Sequence, residues 1–291
     1  MINNDQLRLT EIQNGNVDLM RAPTSLLSTI TEEGGLALQQ SMDLEAERYD
    51  TFNSSFIGFN TEELDRPLRR AISRALDRSE LVNVITYGAG QPTLGTVPRG
   101  MDYPVLTPEN WRDLGMAREL VQKSSYTPDQ SSPVELLVHG QKNTRRLGEL
   151  VSQQLSEVGI EMTLDIQQAS SYWDNTYRYE QSLVAYGGAA DVDPWMSDFK
   201  QLGMPDQETG EGAWQRSLYF DEEFSELLHE ANASPDLEER AGVYEDIVEK
   251  FVEDAPFAMT TFPLNPKAFA GVTGVGVQAG LSNFHSASLE E

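Results

Sequence analysis

The sequence predicts a mixed α/β fold built around one main domain, and three observations lead there. Segments with apolar residues at helical spacing alternate with short aliphatic runs bounded by turn residues. The chain has 291 residues and is 39% hydrophobic, enough for a sizeable core. No internal repeat or low-complexity linker divides it.

The elements follow in order. Asn16–Arg21 reads as a short strand-like piece after a polar start. Leu68, Ile72, Ala75 and Leu76 recur at helical spacing in Arg66–Leu76. Leu81, Val82 and Ile85 carry a second helix to Tyr87, with Asp77 as its cap. Gly88–Pro104 is rich in Gly and Pro and reads as a loop. A helix is expected from Pro108 to Lys123, capped by Thr107. Val134–Val138 is a strand, Thr144–Glu157 an amphipathic helix, and Ile160–Ile166 a strand with Ile160, Met162, Leu164 and Ile166 on one face, together a strand–helix–strand unit.

Ser170–Arg178 is helical, Ser182–Tyr186 is a short apolar strand, and Gly187–Pro194 is a loop with two aspartates. Asp221–Asn232 carries the stripe Phe224, Leu227, Leu228, Ala231. Leu237–Glu253 carries Ala241, Val243, Tyr244, Ile247, Val248 and Phe251. A strand at Phe257–Phe262 ends the pattern, and the Gly- and Val-rich segment Gly271–Gly280 is a further strand candidate.

Charge limits the partners. With 47 acidic against 21 basic residues the net charge is −26, and the carboxylates are spread along the chain. Such a surface repels phosphate backbones and anionic headgroups, so nucleic acid and electrostatic membrane docking are not expected. Self-repulsion of this size weakens a compact state unless salt screens it, which points to a salt-loving host; an acidic surface kept only for solubility is the alternative. Cysteine is absent, so there is no disulfide, thiolate metal site or cysteine nucleophile. Met1–Glu11 is polar, unlike an export signal, and no apolar run reaches membrane-spanning length.

Enzyme patterns are missing. His139, His229 and His285 are scattered without zinc-ligand spacing, and no phosphate-binding loop, dinucleotide fingerprint or nucleophile elbow follows a strand. Asp191 and Asp193 stand two apart, whereas glycosidase carboxylates usually face each other from separate elements. No cofactor and no catalytic residue is expected. Asn53-Ser54-Ser55 and Asn232-Ala233-Ser234 fit glycosylation sequons, weak support for an exported surface.

Several stretches resemble the peptide/nickel-type extracellular solute-binding proteins, family 5. Gly15-Asn16-Val17-Asp18 resembles that family's short strand leading out of its first lobe. Arg70–Val82, followed by Tyr87-Gly88-Ala89-Gly90-Gln91-Pro92, resembles its helix pair and Gly-rich loop. Glu149–Ile160 resembles the helix ending in a Val-Gly-Ile turn, and Arg240–Pro256 and Gly280–Leu289 resemble its later segments. The resemblance implies a periplasmic-binding-protein type II-like clamshell, mainly the second lobe with short pieces of the first. It implies residues 1–21 leading to a hinge, a ligand-binding lobe over 22–261, and a return segment over 262–291. The hinges would lie near Arg21–Pro23 and Thr261–Pro263. Met1 would stand just before the first crossing, with the export signal, lipid anchor and most of the first lobe outside this sequence.

The resemblance also implies that the loop from Gly187 to Trp195 faces the ligand cleft. Peptide binders of the family place an aspartate four residues before the proline, where it pairs with the ligand's α-amino group. That position is Ala190 here, and Asp191 is adjacent. Expected ligand-binding residues are Gly188, Ala190, Asp191, Asp193 and Trp195, with Trp173 and Trp214 as aromatic walls and Gln141 at a neighbouring strand end. For Asp193 the competing reading is a cap on the helix that begins at Pro194, and for Asp191 it is a solvated carboxylate. For Trp173 it is core packing. The implied role is a monomeric, extracellular binding component that delivers a peptide or similar small solute to an ABC permease. A structural or sensory domain without a transport partner is the alternative.

Overall fold

The computed structural model describes residues 4–22, 45–49, 51, 53–98, 101, 103–104, 106–109, 111–128, 134–178, 180–189, 193–278 and 281–289. In chain order the elements are α1 (Asp5–Gln13), β1 (Leu19–Arg21), β2 (Glu45–Tyr49), β3 (Asn53–Phe59), α2 (Arg66–Ala75), α3 (Arg78–Thr86) and β4 (Gly90–Pro92). They continue with α4 (Leu114–Lys123), β5 (Val134–His139), α5 (Lys142–Ser156), β6 (Met162–Gln167), α6 (Ala169–Asn175) and β7 (Leu183–Ala189). The last are α7 (Pro194–Leu202), α8 (Glu222–Ala233), α9 (Leu237–Asp254), β8 (Phe257–Pro263), β9 (Asn265–Phe269) and four short strands after it.

A mixed sheet in the order β4-β8-β3-β7-β5-β6 forms the centre, with β5 parallel to β6 and β7 and the remaining pairs antiparallel. Its inner strands are covered on both faces. In β3, Ile57 and Phe59 enter one apolar cluster with α2, α3 and α5, while Phe56 enters the opposite one with α8 and α9. Strand β8 divides likewise, with Ala258 on the first side and Phe257 and Met259 on the second. This period-two split is why central strands here read as near-continuous apolar runs.

Helix starts follow capping chemistry. Asp65, Asp77, Asp221 and Asp236 each accept a backbone N–H of the first turn from their side chains. The helix expected from Pro108 begins instead at Leu114, capped by Asp113 rather than Thr107. Tertiary contacts hold the residues before it. Trp111 Nε1 donates to Ser73 O, the Arg74 guanidinium stacks 3.4 Å from the Trp111 ring centre, and Arg112 Nε donates to Ala75 O. The strand expected from Ile160 begins at Met162, because Ile160 is wholly buried in the turn that closes α5.

A second, smaller sheet in the order β1-β9-β2 stands beside the first. Among the described residues the chain passes between the sheets from β2, which ends at Tyr49, to β3, which starts at Asn53, and from β8 to β9 through Leu264. They are tied together: Thr51 Oγ1 donates to Pro263 O at 2.5 Å, and Leu264 N donates to Ala89 O at 2.9 Å. The register places the ends of β5, β6, β7 and β8 and the starts of β3 and β4 along one edge of the large sheet. Both crossings lie on that edge.

Candidate ligand-binding site

Where parallel strands end, the backbone leaves the sheet and the following helices begin, which opens a crevice suited to ligands. Here that edge carries His139 at the end of β5, Gln167 at the end of β6 and Gly187–Ala189 at the end of β7. Strand β7 runs further than expected, and Gly188 pairs with Ser54 inside it. A Cβ added at the preceding Gly187 would sit 3.2 Å from Ser54 O, so the close strand pairing favours a small residue there. Ala190, Asp191 and Val192 lie outside the described residues.

Asp193 opens α7. Its Oδ1 accepts from Trp195 N at 2.9 Å, and Arg240 Nη2, from α9, donates to Oδ1 at 2.8 Å and Oδ2 at 2.6 Å. With Pro194 as the first helical residue this is the capping arrangement, reinforced by an ion pair. The carboxylate is therefore engaged inside the protein. Trp195 turns inward as well, since its Nε1 donates to Leu228 O at 2.7 Å and its ring stacks on Phe199 at 4.6 Å. Both residues join α7 to the neighbouring helices.

One turn on is a residue that the sequence reading passed over. Asp198 is only 2% exposed and accepts a hydrogen bond from Thr96 Oγ1 at 2.8 Å. Burial pushes its carboxyl up to about 7, against the lowering effect of the Thr96 bond, and the negative charge of Asp193 adds to the rise. Beside it lies a cavity of about 10 Å³ lined by Ser54, Thr96, Ser197 and Gln201 with Phe56, Phe257 and Met259. The available signal was an aspartate on the same helix face as Trp195 and Leu202.

The aromatic wall gathers around Trp173. That side chain is 45% exposed and meets Tyr172 and Tyr186 edge-on at 5.1 and 5.8 Å. His139 meets Tyr172 in the same way at 5.2 Å, and Tyr172 OH donates to Ala185 O. Burial raises the Tyr172 phenol well above its ordinary range, so it stays a neutral donor. Gln141 sits at the start of α5 without capping it, and its backbone N–H donates to His139 Nδ1 at 3.2 Å. Trp214 is placed elsewhere. Its 40% exposed ring lies under Lys200 Nζ at 4.2 Å, near the far end of α7.

Thus the edge brings together Trp173, Gln141 and Gly188, whereas Trp195 and Asp193 serve packing and Trp214 stands apart. Among the described residues no group of three or more His, Asp or Glu is arranged to hold a metal ion, and no helix is long and apolar enough to cross a membrane.

Comparison with known proteins fits this architecture. The family model of bacterial extracellular solute-binding proteins, family 5 middle, matches residues 1–208. The chain belongs to this family. Its members are solute-binding proteins rather than enzymes. Among its relatives, the oligopeptide-binding protein OppA of Bacillus subtilis is 22% identical over 90% of this chain and 48% of its own length. The di/tripeptide-binding protein 2 of Pseudomonas aeruginosa is 24% identical over 84% of this chain and 47% of its own. The chain spans about half the length of these curated relatives. In fold it is similar to the ABC transporter substrate-binding protein CtaP of Listeria monocytogenes, with a TM-score of 0.82 at 18% identity, covering 100% of this chain and 59% of that one. Another similar structure is the periplasmic binding protein DppA of Helicobacter pylori in complex with the peptide STSA, with a TM-score of 0.76 at 21% identity over 100% of this chain and 56% of that one. The fold is that of the family's type II clamshell proteins.

Proposed function

We propose that this family 5 chain forms the ligand-binding lobe, with adjoining hinge segments, of the substrate-binding component of an ABC importer. The component captures a peptide or similarly sized polar solute outside the cell and presents it to a membrane permease. The observation that carries this reading is the meeting, on one sheet edge, of the Trp173–Tyr172–Tyr186 wall, the end of β7 and both crossings to the smaller sheet. Ligand held at that edge contacts the segments that bend when lobes close, so binding energy is released as closure. The hinges then lie at the two crossings, the expected boundary near Thr261–Pro263 being one of them. We assign Gly188, Ala190 and Asp191 to ligand contact, with Asp191 as the partner of the ligand's amino group.

Trp173 and Gln141 complete the wall in this reading, and Asp193 and Trp195 keep the loop in place from behind. The protein acts as a monomer without catalysis, and its acidic surface keeps nucleic acid away. The test is mass spectrometry of small molecules released by denaturing the protein purified in high salt from its natural host. A family of short peptides supports the reading. A single sugar or metal chelate assigns another cargo, and an empty cleft favours a structural or sensory domain.

A further inference from the structure

Three acidic side chains are buried among the described residues, and two of them have several partners each. Asp254 accepts from Tyr219 OH at 2.6 Å and lies 3.0 Å from Lys250 Nζ and 3.3 Å from Arg66 Nη1. Glu211 accepts from Met204 N at 3.0 Å and from Ser225 Oγ, and meets His229 Nε2 at 3.0 Å. Asp198 has one hydrogen bond among the described residues, from Thr96 Oγ1 to Oδ2, and no described cation in ion-pair contact.

Its surroundings sharpen the contrast. Asp193 adds a second negative charge nearby, and Arg240, the cation at that helix end, is taken up by both Asp193 oxygens. Tyr244, wholly buried on α9, is the other titratable group in the field of Asp198; burial keeps its phenol neutral, and its OH has no partner among the described residues. A carboxylate held in this way is costly to ionise unless a positive charge joins it.

The cavity beside Asp198 has room for one. Its polar lining is Ser54, Thr96, Ser197, Asp198 and Gln201, which offers carboxylate, hydroxyl and amide oxygens and no charged nitrogen. Gln201 Nε2 donates to Ser197 Oγ at 2.8 Å, which orients both groups. Hard oxygen donors around a carboxylate suit an alkali or alkaline-earth cation. A single carboxylate balances a monovalent ion, whereas Ca²⁺ takes about six to eight oxygens and Mg²⁺ keeps bound waters. A cavity of about 10 Å³ has no space for those waters. That volume is at the lower bound of what one water occupies, so sodium fits it better than the larger potassium ion. The net charge of −26 concentrates cations at the surface from which such an ion enters.

We propose that Asp198, with oxygens of Ser54, Thr96, Ser197 and Gln201, binds one sodium ion. The ion joins three elements, since Ser54 pairs with Gly188 from β3, Thr96 follows β4 and Asp198 stands on α7. It braces the back of the candidate edge whatever solute binds there. It also gives the protein a preference for one cation, which screening does not, because screening depends on ionic strength alone.

The test is urea unfolding of the 291-residue chain at about pH 8 in sodium, potassium and tetramethylammonium chloride at equal ionic strength, for the wild type and Asp198→Asn. We expect sodium to raise the folding equilibrium constant of the wild type about tenfold over tetramethylammonium and about threefold over potassium, and the preference over tetramethylammonium to fall below about twofold in Asp198→Asn. When sodium replaces tetramethylammonium, the backbone amide NMR signals of Thr96, Ser197 and Gln201 should shift saturably, and that of exposed Glu119 should not. An equal sodium preference in both proteins, or cavity signals that move no more than Glu119, overturns the assignment and leaves a water or a proton as the partner of Asp198. Potassium acting as well as sodium overturns the assignment to sodium. If Asp198→Asn fails to fold, the amide shifts of the wild type decide alone.

Discussion

Replacing Asp198 with asparagine should make the protein's stability less sensitive to pH. In the folded state burial raises this carboxyl from 3.8 to about 7, whereas in the unfolded chain it titrates at its ordinary value. Below pH 3.8 both states hold the proton and the residue has no differential effect. As pH rises through the interval up to about 7, the unfolded chain ionises and the folded one resists, so stability falls. The full loss, at 1.36 kcal/mol per unit, is about 4 kcal/mol above pH 7, of which about 3 kcal/mol falls between pH 5 and pH 8. Asparagine keeps the shape and can still accept from Thr96 Oγ1, but does not titrate. Urea unfolding of both proteins at pH 5 and pH 8, in one salt concentration, isolates the effect as a double difference. The wild-type protein should lose about 3 kcal/mol more than Asp198→Asn. A double difference under about 0.5 kcal/mol would mean that the carboxylate is solvated and the burial argument is wrong.

Other substitutions separate packing from binding. Asp193→Ala should lower the unfolding free energy by about 1–2 kcal/mol, through the lost cap and a partly exposed ion pair, as read by urea denaturation. Trp195→Ala should cost about 3 kcal/mol because it empties a packed position and removes the indole's added hydrogen bond to Leu228 O. By contrast Trp173→Ala should cost less than about 1 kcal/mol of stability while weakening ligand binding, and an equal loss of stability from both tryptophans would contradict their separation. With a net charge of −26, melting followed by far-UV circular dichroism should shift upward steeply with KCl; a flat response removes the inference of salt adaptation.

Much of the fold was legible because it rests on periodicity. The pair α2 and α3, the unit β5-α5-β6 and the stripes of α8 and α9 bury most of the side chains that the spacing selects, among them Ile72, Val151, Phe224, Tyr244 and Phe251, while Ile166 at the end of β6 is 41% exposed. Strand β3 was missed, although it is central. It opens with Asn53-Ser54-Ser55, polar residues that suggest a surface, and includes Gly58, while its apolar content is compressed into Phe56, Ile57 and Phe59. Strands β2 and β9 hold charged residues and proline, and they form a sheet only by pairing across the sequence, β9 with β2 on one side and β1 on the other. Local pattern carries no information about such a contact.

The sheet edge proposed as the site was legible as a place in the fold, and the contacts of its residues were not. A loop of small residues between a strand and a proline-initiated helix marks the sheet edge, and Trp173 proved to be an exposed aromatic there. The parts of Asp193 and Trp195 depend on Arg240 and Leu228, which are distant in sequence. Asp198 gave little local sign, because its burial is created by Thr96.

The central claim is that solute binds at the edge where the parallel strands end. Backbone NMR of the 291-residue chain, titrated with millimolar short peptides in high salt, tests it most directly. The account predicts shifts concentrated at His139–Gln141, Gln167–Trp173 and Tyr186–Ala189, with the surroundings of Trp214 and the outer faces of α8 and α9 unchanged. Shifts centred near Trp214, or spread evenly over the surface, would contradict it.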